Sequence, residues 1–224
     1  MKNEIFKSFC ELESYLKKNG IKFTPEGYPV FKEEFLLREN PDEILPFEHR
    51  NSCKDKKKTV ICFFADDRQL YRRLPNLEKD AEIYSQYMGI CGFDLSPRVG
   101  WDVECQRFNI CLSQMATIYL ALQGIKIIPN FRIGDFYETV SALRSYPENS
   151  PFAVGTLGCS HRKKIDADIW YLRAKTLFVR PSNLLFYGTL KQEYRNILKE
   201  MNLPFRVYED FRTKCFREYM EKTA

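Results

Sequence analysis

The chain has 224 residues and a mass of 26.6 kDa, with 44% apolar and 15% aromatic residues and 35 Lys and Arg against 30 Asp and Glu. That length buries a large core without disulfides or a structural metal, and the composition excludes a disordered chain. No apolar stretch reaches the length of a membrane span, and the opening residues lead into an amphipathic segment rather than a signal peptide, so a cytoplasmic protein with no membrane partner is expected. The net charge of +5 is mild and largely local, in residues 54–58 (KDKKK) and 161–164 (HRKK). Those runs read either as solvated loops or as contacts to phosphates.

Residues 2–19 place Ile5, Phe9, Leu12 and Leu16 at helical spacing and stop at Gly20. Residues 21–51 carry Pro25, Pro29, Pro41 and Pro46 and read as an irregular arm with one short helix near 32–38. Six short apolar runs follow, at 59–65, 89–93, 126–129, 152–154, 183–186 and 205–208. A helix-like stretch extends to residue 87 after the first run. The clearest helix spans 102–123, with Asp102 as N-cap and an apolar stripe of Phe108, Cys111, Leu112, Met115, Tyr119 and Leu122. A helix carrying Ile165, Ile169, Leu172 and Thr176 comes after the fourth run. The fifth meets a capping box at Thr189 and Gln192, and the sixth precedes a helix with Phe211, Cys215, Phe216 and Tyr219.

Apolar strands separated by helices imply a parallel sheet buried on both faces. The expected fold is α/β: a mainly parallel sheet of about six strands with βα repeats, as an open sheet or an incomplete barrel. Residues 1–51 form an N-terminal helix and wrapping arm, and residues 52–224 a single α/β domain. No G-x-G-x-x-G follows the first strand and no P-loop is present, which removes the main supports for a dinucleotide or NTPase fold. The eight cysteines include no C-x-x-C and there are only two histidines, His49 and His161, so reduced thiols are expected, with Cys62, Cys91 and Cys111 buried.

In such sheets ligands bind beyond the carboxyl ends of the strands, and each run ends in polar residues. Asp66 and Asp67 end the first and Asp94 the second; three carboxylates there suit Mg2+ and phosphate chemistry as catalytic groups. Alternatively one Asp caps the next helix and pairs with Arg68, Arg72 or Arg73. Arg98 stands on a Pro/Gly loop where it either grips an anion or neutralises Asp94, and Trp101 either stacks on a base or fills the core edge. Asn130 and Arg132 follow the third run as ligand-binding candidates, with Gly134 permitting close backbone approach. Thr156 opens the Gly-rich segment 155–161, which reads as an anion-binding loop beside Arg162, Lys163 and Lys164. Within it Cys159 and His161 form a poor nucleophile–base pair, being two residues apart with no orienting group evident. Tyr187, Gly188, Glu209 and Asp210 complete the rim, and Tyr187 is taken as a ligand-binding candidate.

The order of these motifs resembles an uncharacterised family of bacteriophages and mobile elements, domain of unknown function 4417. Leu45, Pro46 and Phe47 match its entry; Phe63, Phe64, Asp66 and Asp67 its Phe-Phe-x-Asp-Asp; and Asn76, Glu78 and Lys79 the next step. Asp94, Leu95 and Ser96, then Gly124 to Pro129, then Gly155, Thr156, Gly158, Tyr187 and Gly188 complete the series. Ile133 stands where members often place a Trp. The resemblance implies a fold and a mobile-element origin in a bacterial host, and no activity. Two functions fit: binding of a phosphate-bearing small molecule or nucleotide at the sheet edge, as a ligand site or an enzyme, or non-catalytic binding of a host protein or nucleic acid.

Overall fold

A computed structural model of the chain describes residues 2–156 and 165–223. The segment holding Cys159, Ser160 and His161, and with it the expected anion-binding loop beyond Thr156, lies outside the described residues. The chain alternates strand and helix. Helix α1 (Lys2–Lys18) leads through the arm into β1 (Glu43–Pro46) and β2 (Thr59–Cys62). Then come α2 (Asp67–Arg73), α3 (Leu77–Tyr84), β3 (Gly89–Cys91), α4 (Val103–Leu122), β4 (Ile127–Ile128) and α5 (Phe136–Thr139). The remainder is β5 (Pro151–Gly155), α6 (Ile165–Val179), β6 (Asn183–Tyr187), α7 (Gln192–Glu200), β7 (Phe205–Tyr208) and α8 (Phe211–Thr223).

Every strand pair is parallel, and the strands lie side by side in chain order. The expected single sheet of six strands is corrected to two sheets, β1–β4 and β5–β7. A parallel bridge from Asn130 to Ala153 links them, through Ala153 N–H to Pro129 O at 2.8 Å and Phe131 N–H to Ala153 O at 2.9 Å. The added strand, β1, comes from the arm expected to be irregular; its register sets Glu43 against Thr59 and Pro46 against Cys62. The arm also inserts Leu36 and Leu37 beside β4, with Leu37 N–H donating to Ile127 O at 2.7 Å.

Alternate residues of each strand point to opposite faces, and the core divides accordingly. One cluster takes Ile44, Val60, Cys62, Cys91, Ile128, Ala153, Leu185, Tyr187 and Tyr208, with at least one residue from every strand, plus Leu37 of the arm. The opposite faces of β1–β4 supply Leu45, Ile61, Phe63, Ile90 and Ile127 to a second cluster under α1, α3 and α4. Those of β5–β7 supply Phe152, Leu184 and Phe186 to a third, with Leu172 of α6 and Leu198 of α7. Side chains tie the end of the chain to the arm and β1: Tyr208 OH of β7 donates to Pro41 O, before β1, at 3.0 Å, and Lys214 of α8 pairs with Glu43 of β1.

Two helix boundaries differ from expectation. The stretch after β2 is two helices, because Pro75 sits in a 3-10 turn between them. Helix α7 starts at Gln192 rather than at a Thr189 cap; Leu190 is buried in the third cluster, which holds residues 189–190 out of the helix. The seven described cysteines are free thiols, and Cys62, Cys91 and Cys111 are buried, as expected. Burial pushes the Cys111 thiol up to about 12.

Candidate functional site

The carboxyl ends of β3 and β4 are set by the helix between them. Gly92 N–H donates to Ile128 O at 2.9 Å, after which residues 93–101 leave the sheet and run back along α4. The helix holds this segment rung by rung. Phe93 N–H donates to Thr117 Oγ1 at 2.9 Å and Leu95 N–H to Ser113 Oγ at 3.1 Å. Asn109 Nδ2 donates to Ser96 O at 3.0 Å and Gln106 Nε2 to Trp101 O at 2.8 Å. These four residues recur every three or four positions, as one face of a helix requires. They satisfy backbone groups that have left the sheet and have no strand to bond.

Asp94 stands in this segment and is 5% exposed. Asn130 Nδ2 donates to its Oδ1 at 2.7 Å, and Arg132 Nη1 to its Oδ2 at 2.5 Å. Burial raises the Asp94 pKa above the ordinary carboxylate value; the Arg132 charge and the hydrogen bonds from Asn130 and Arg132 pull the other way, and Asp67 adds a small upward push. Arg132 itself is 36% exposed. Asp67, in the first turn of α2, accepts from Ser96 N–H at 3.0 Å, and so braces the same segment from the opposite side.

The next loop is tied in through Asp135. Its carboxylate accepts from Gly100 N–H at 3.2 Å and from Gln106 Nε2 at 2.6 Å, and its own N–H donates to Gln106 Oε1 at 2.6 Å. Gly134 is the residue this clamp demands, since a Cβ there would overlap Gln106 Oε1. On the clamped loop Arg98 stacks over Trp101, with the guanidinium 4.8 Å from the ring centre, and Trp101 is 47% exposed.

The other candidates lie apart. Asp66 is exposed and caps α2, accepting from Arg68 N–H at 2.8 Å. Thr156 N–H and Oγ1–H both donate to Tyr187 O at 3.0 Å. Tyr187, read from sequence as a ligand contact, is corrected to a core residue: it is buried, its ring stacks on Phe64 at 5.8 Å, and its hydroxyl accepts from Phe211 N–H at 2.9 Å. Burial raises its pKa. Asp66 and Thr156 thus do not line the cavity beside Asp94, whose walls include Asn130 and Arg132. Among the described residues no three His, Cys, Asp or Glu side chains form a group able to hold a metal ion, so Asp66, Asp67 and Asp94 do not make the expected Mg2+ triad. The residues that sequence reasoning missed are Gln106, Asn109, Ser113 and Thr117. Their signal was the second, polar stripe of α4, hidden beside its apolar one.

No helix among the described residues is long and apolar enough to cross a membrane. No curated protein and no solved structure matches the chain. A family model does: Domain of unknown function (DUF4417), across residues 27–209. That stretch runs from the arm to the end of β7 and includes every strand and the whole Asp94 segment with its helix, so the chain belongs to the DUF4417 family.

Proposed function

We propose that this chain acts in a phage or mobile element by binding a phosphate-bearing small molecule or nucleotide at the carboxyl edge of its sheets. In this reading Arg132 and Arg98 receive the anion, Trp101 offers an aromatic face, and Asp94 with Asn130 holds Arg132 in place. The observation that carries it is the Asp94–Arg132 pair: a buried carboxylate at a parallel-strand end, aiming an Arg that is itself partly exposed. We further read the two sheets as one incomplete barrel, supported by the single cluster drawn from all seven strands and by the contacts from Tyr208 and Arg206 to Pro41. Ligands of parallel barrels gather at this same edge.

Calorimetric titration with a nucleotide panel, with and without Mg2+, tests the proposal. Arg132→Met is expected to weaken binding by about 10-fold or more, the loss of one charge-assisted contact, and Arg98→Ala by less. A second reading, non-catalytic binding of a host protein or nucleic acid, is favoured by the aromatic group of Phe136, Tyr137, Trp170 and Tyr171, in which Tyr137 is 84% and Trp170 45% exposed. If no nucleotide binds and a single-stranded oligonucleotide or host protein is lost on Tyr137→Ala but kept in Arg132→Met, the second reading replaces the first.

A further inference from the structure

Gln114, in the middle of α4, is 3% exposed, and its two ends differ. The amide nitrogen donates to Ala142 O and Ser145 Oγ, each at 3.1 Å, and to Tyr146 OH at 3.3 Å. A backbone carbonyl only accepts, so the bond to Ala142 fixes which end of the amide is nitrogen. The oxygen, Oε1, is buried and accepts no hydrogen bond from the described residues. A buried amide oxygen left without a donor is costly, and native interiors avoid it.

Gln114 lines a cavity of about 20 Å³ shared with Asp94, Ser113, Asn130, Arg132 and Tyr146. A polar space above roughly 10–15 Å³ takes one water, provided two to four polar partners face it. Here the partners are complementary. Gln114 Oε1 and the Asp94 carboxylate accept, while the hydroxyls of Ser113 and Tyr146 have hydrogens to donate.

We propose that one water molecule binds in this cavity, donating one hydrogen to Gln114 Oε1 and the other to the Asp94 carboxylate, and accepting from the Ser113 or Tyr146 hydroxyl. Carboxylate, amide and hydroxyl oxygens are also ligands for a hard cation. Arg132 Nη1 stands 2.5 Å from Asp94 Oδ2, however, and Asn130 already turns an N–H toward Oδ1. That positive charge opposes a cation and leaves a neutral dipole as the occupant. The water would be a further hydrogen-bonding partner of Asp94 beside Asn130 and Arg132, joining the strand ends to α4 and, through Gln114, to the turn at Ala142. The inference rests on this geometry and not on the nucleotide reading, so it survives if no nucleotide binds.

A high-resolution crystal structure of the full chain tests it. The expected result is one density peak within about 2.6–3.2 Å of both Gln114 Oε1 and an Asp94 oxygen. In Gln114→Met the amide oxygen is gone and the peak should vanish. Magnetic relaxation dispersion of solvent water should then count one fewer long-lived internal water than in the wild type. An ordered wild-type map without the peak overturns the proposal, as does an unchanged water count in Gln114→Met. Contacts of about 2.3–2.6 Å to several oxygens, with replacement of the peak by a heavier cation on soaking, also overturn it, in favour of a metal site. If Gln114→Met does not fold, the wild-type map decides alone.

Discussion

The β3–β4 edge and the β5–β6 edge close the same kind of strand ends by different means. At β3–β4 the chain leaves the sheet into a polar scaffold: Thr117, Ser113, Asn109 and Gln106 hold its backbone, and Asp94, Asn130 and Arg132 interlock beyond it. At β5–β6 backbone and rings suffice. Thr156 bonds to Tyr187 O, and Phe64 lies across Gly155 and stacks on Tyr187. The second solution buries no charge. The first buries a carboxylate, and replacing a buried ion pair with apolar groups is often neutral or stabilising. The polar half therefore keeps an arrangement that stability alone does not require.

A ranked set of substitutions would break or sharpen that contrast. The largest effect is expected from Arg132→Met, which leaves Asp94 buried without its cation. Stability should fall by about 2–3 kcal/mol at neutral pH, less than for a fully buried pair because Arg132 is partly exposed. The loss should shrink in acid, since a protonated Asp94 needs no counter-charge. The sign for the wild type follows from the raised Asp94 pKa. The folded state keeps this proton at pH values where the unfolded chain has released it, so Asp94 lowers stability as pH rises from the ordinary carboxylate range through the raised value. Urea melts of the wild type and Asp94→Asn between about pH 3 and 7 should differ by that slope.

Next is Gly134→Ala, where the new methyl meets Gln106 Oε1. A loss of about 1–3 kcal/mol is expected, partly recovered when Gln106→Ala is added; a double-mutant cycle with no coupling would mean that Gln106 does not demand glycine at 134. The smallest effects compare the two edges directly. Thr117→Val leaves the buried Phe93 N–H without an acceptor and should cost about 1–2 kcal/mol. Thr156→Val leaves the Tyr187 carbonyl still paired with Thr156 N–H and should cost about 0.5 kcal/mol. Equal costs in thermal melts would erase the difference between the edges.

The six expected strands were legible because each is an apolar run between helices, and they pair in parallel. β1 was not. It is four residues long in a proline-rich stretch and ends at Pro46, a residue tolerated because β1 is an edge strand with a partner on one side only. The Asp66-Asp67 doublet drew attention as a pair of charges, yet one caps a helix, a position Asp favours, and the other braces a loop. Asp94, Asn130 and Arg132 were legible by position alone. The support beneath them was not, because a buried Ser or Thr on a mostly apolar helix carries no composition signal of what it holds.

The strand order, which within each sheet follows the chain, bears on how the protein is made. Within each sheet every strand after the first pairs with the one synthesised just before it, so both sheets can grow in register as the chain emerges. Contacts of longer range run from the arm to later strands, and the latest of them in the chain include those of Arg206, Tyr208 and Lys214 with Pro41 and Glu43, which join the last strand and helix to the arm. Those latest contacts can form only when synthesis is nearly complete. Until then the newest strand has a partner on one side only, and the last strand and helix lack their side-chain ties to the arm.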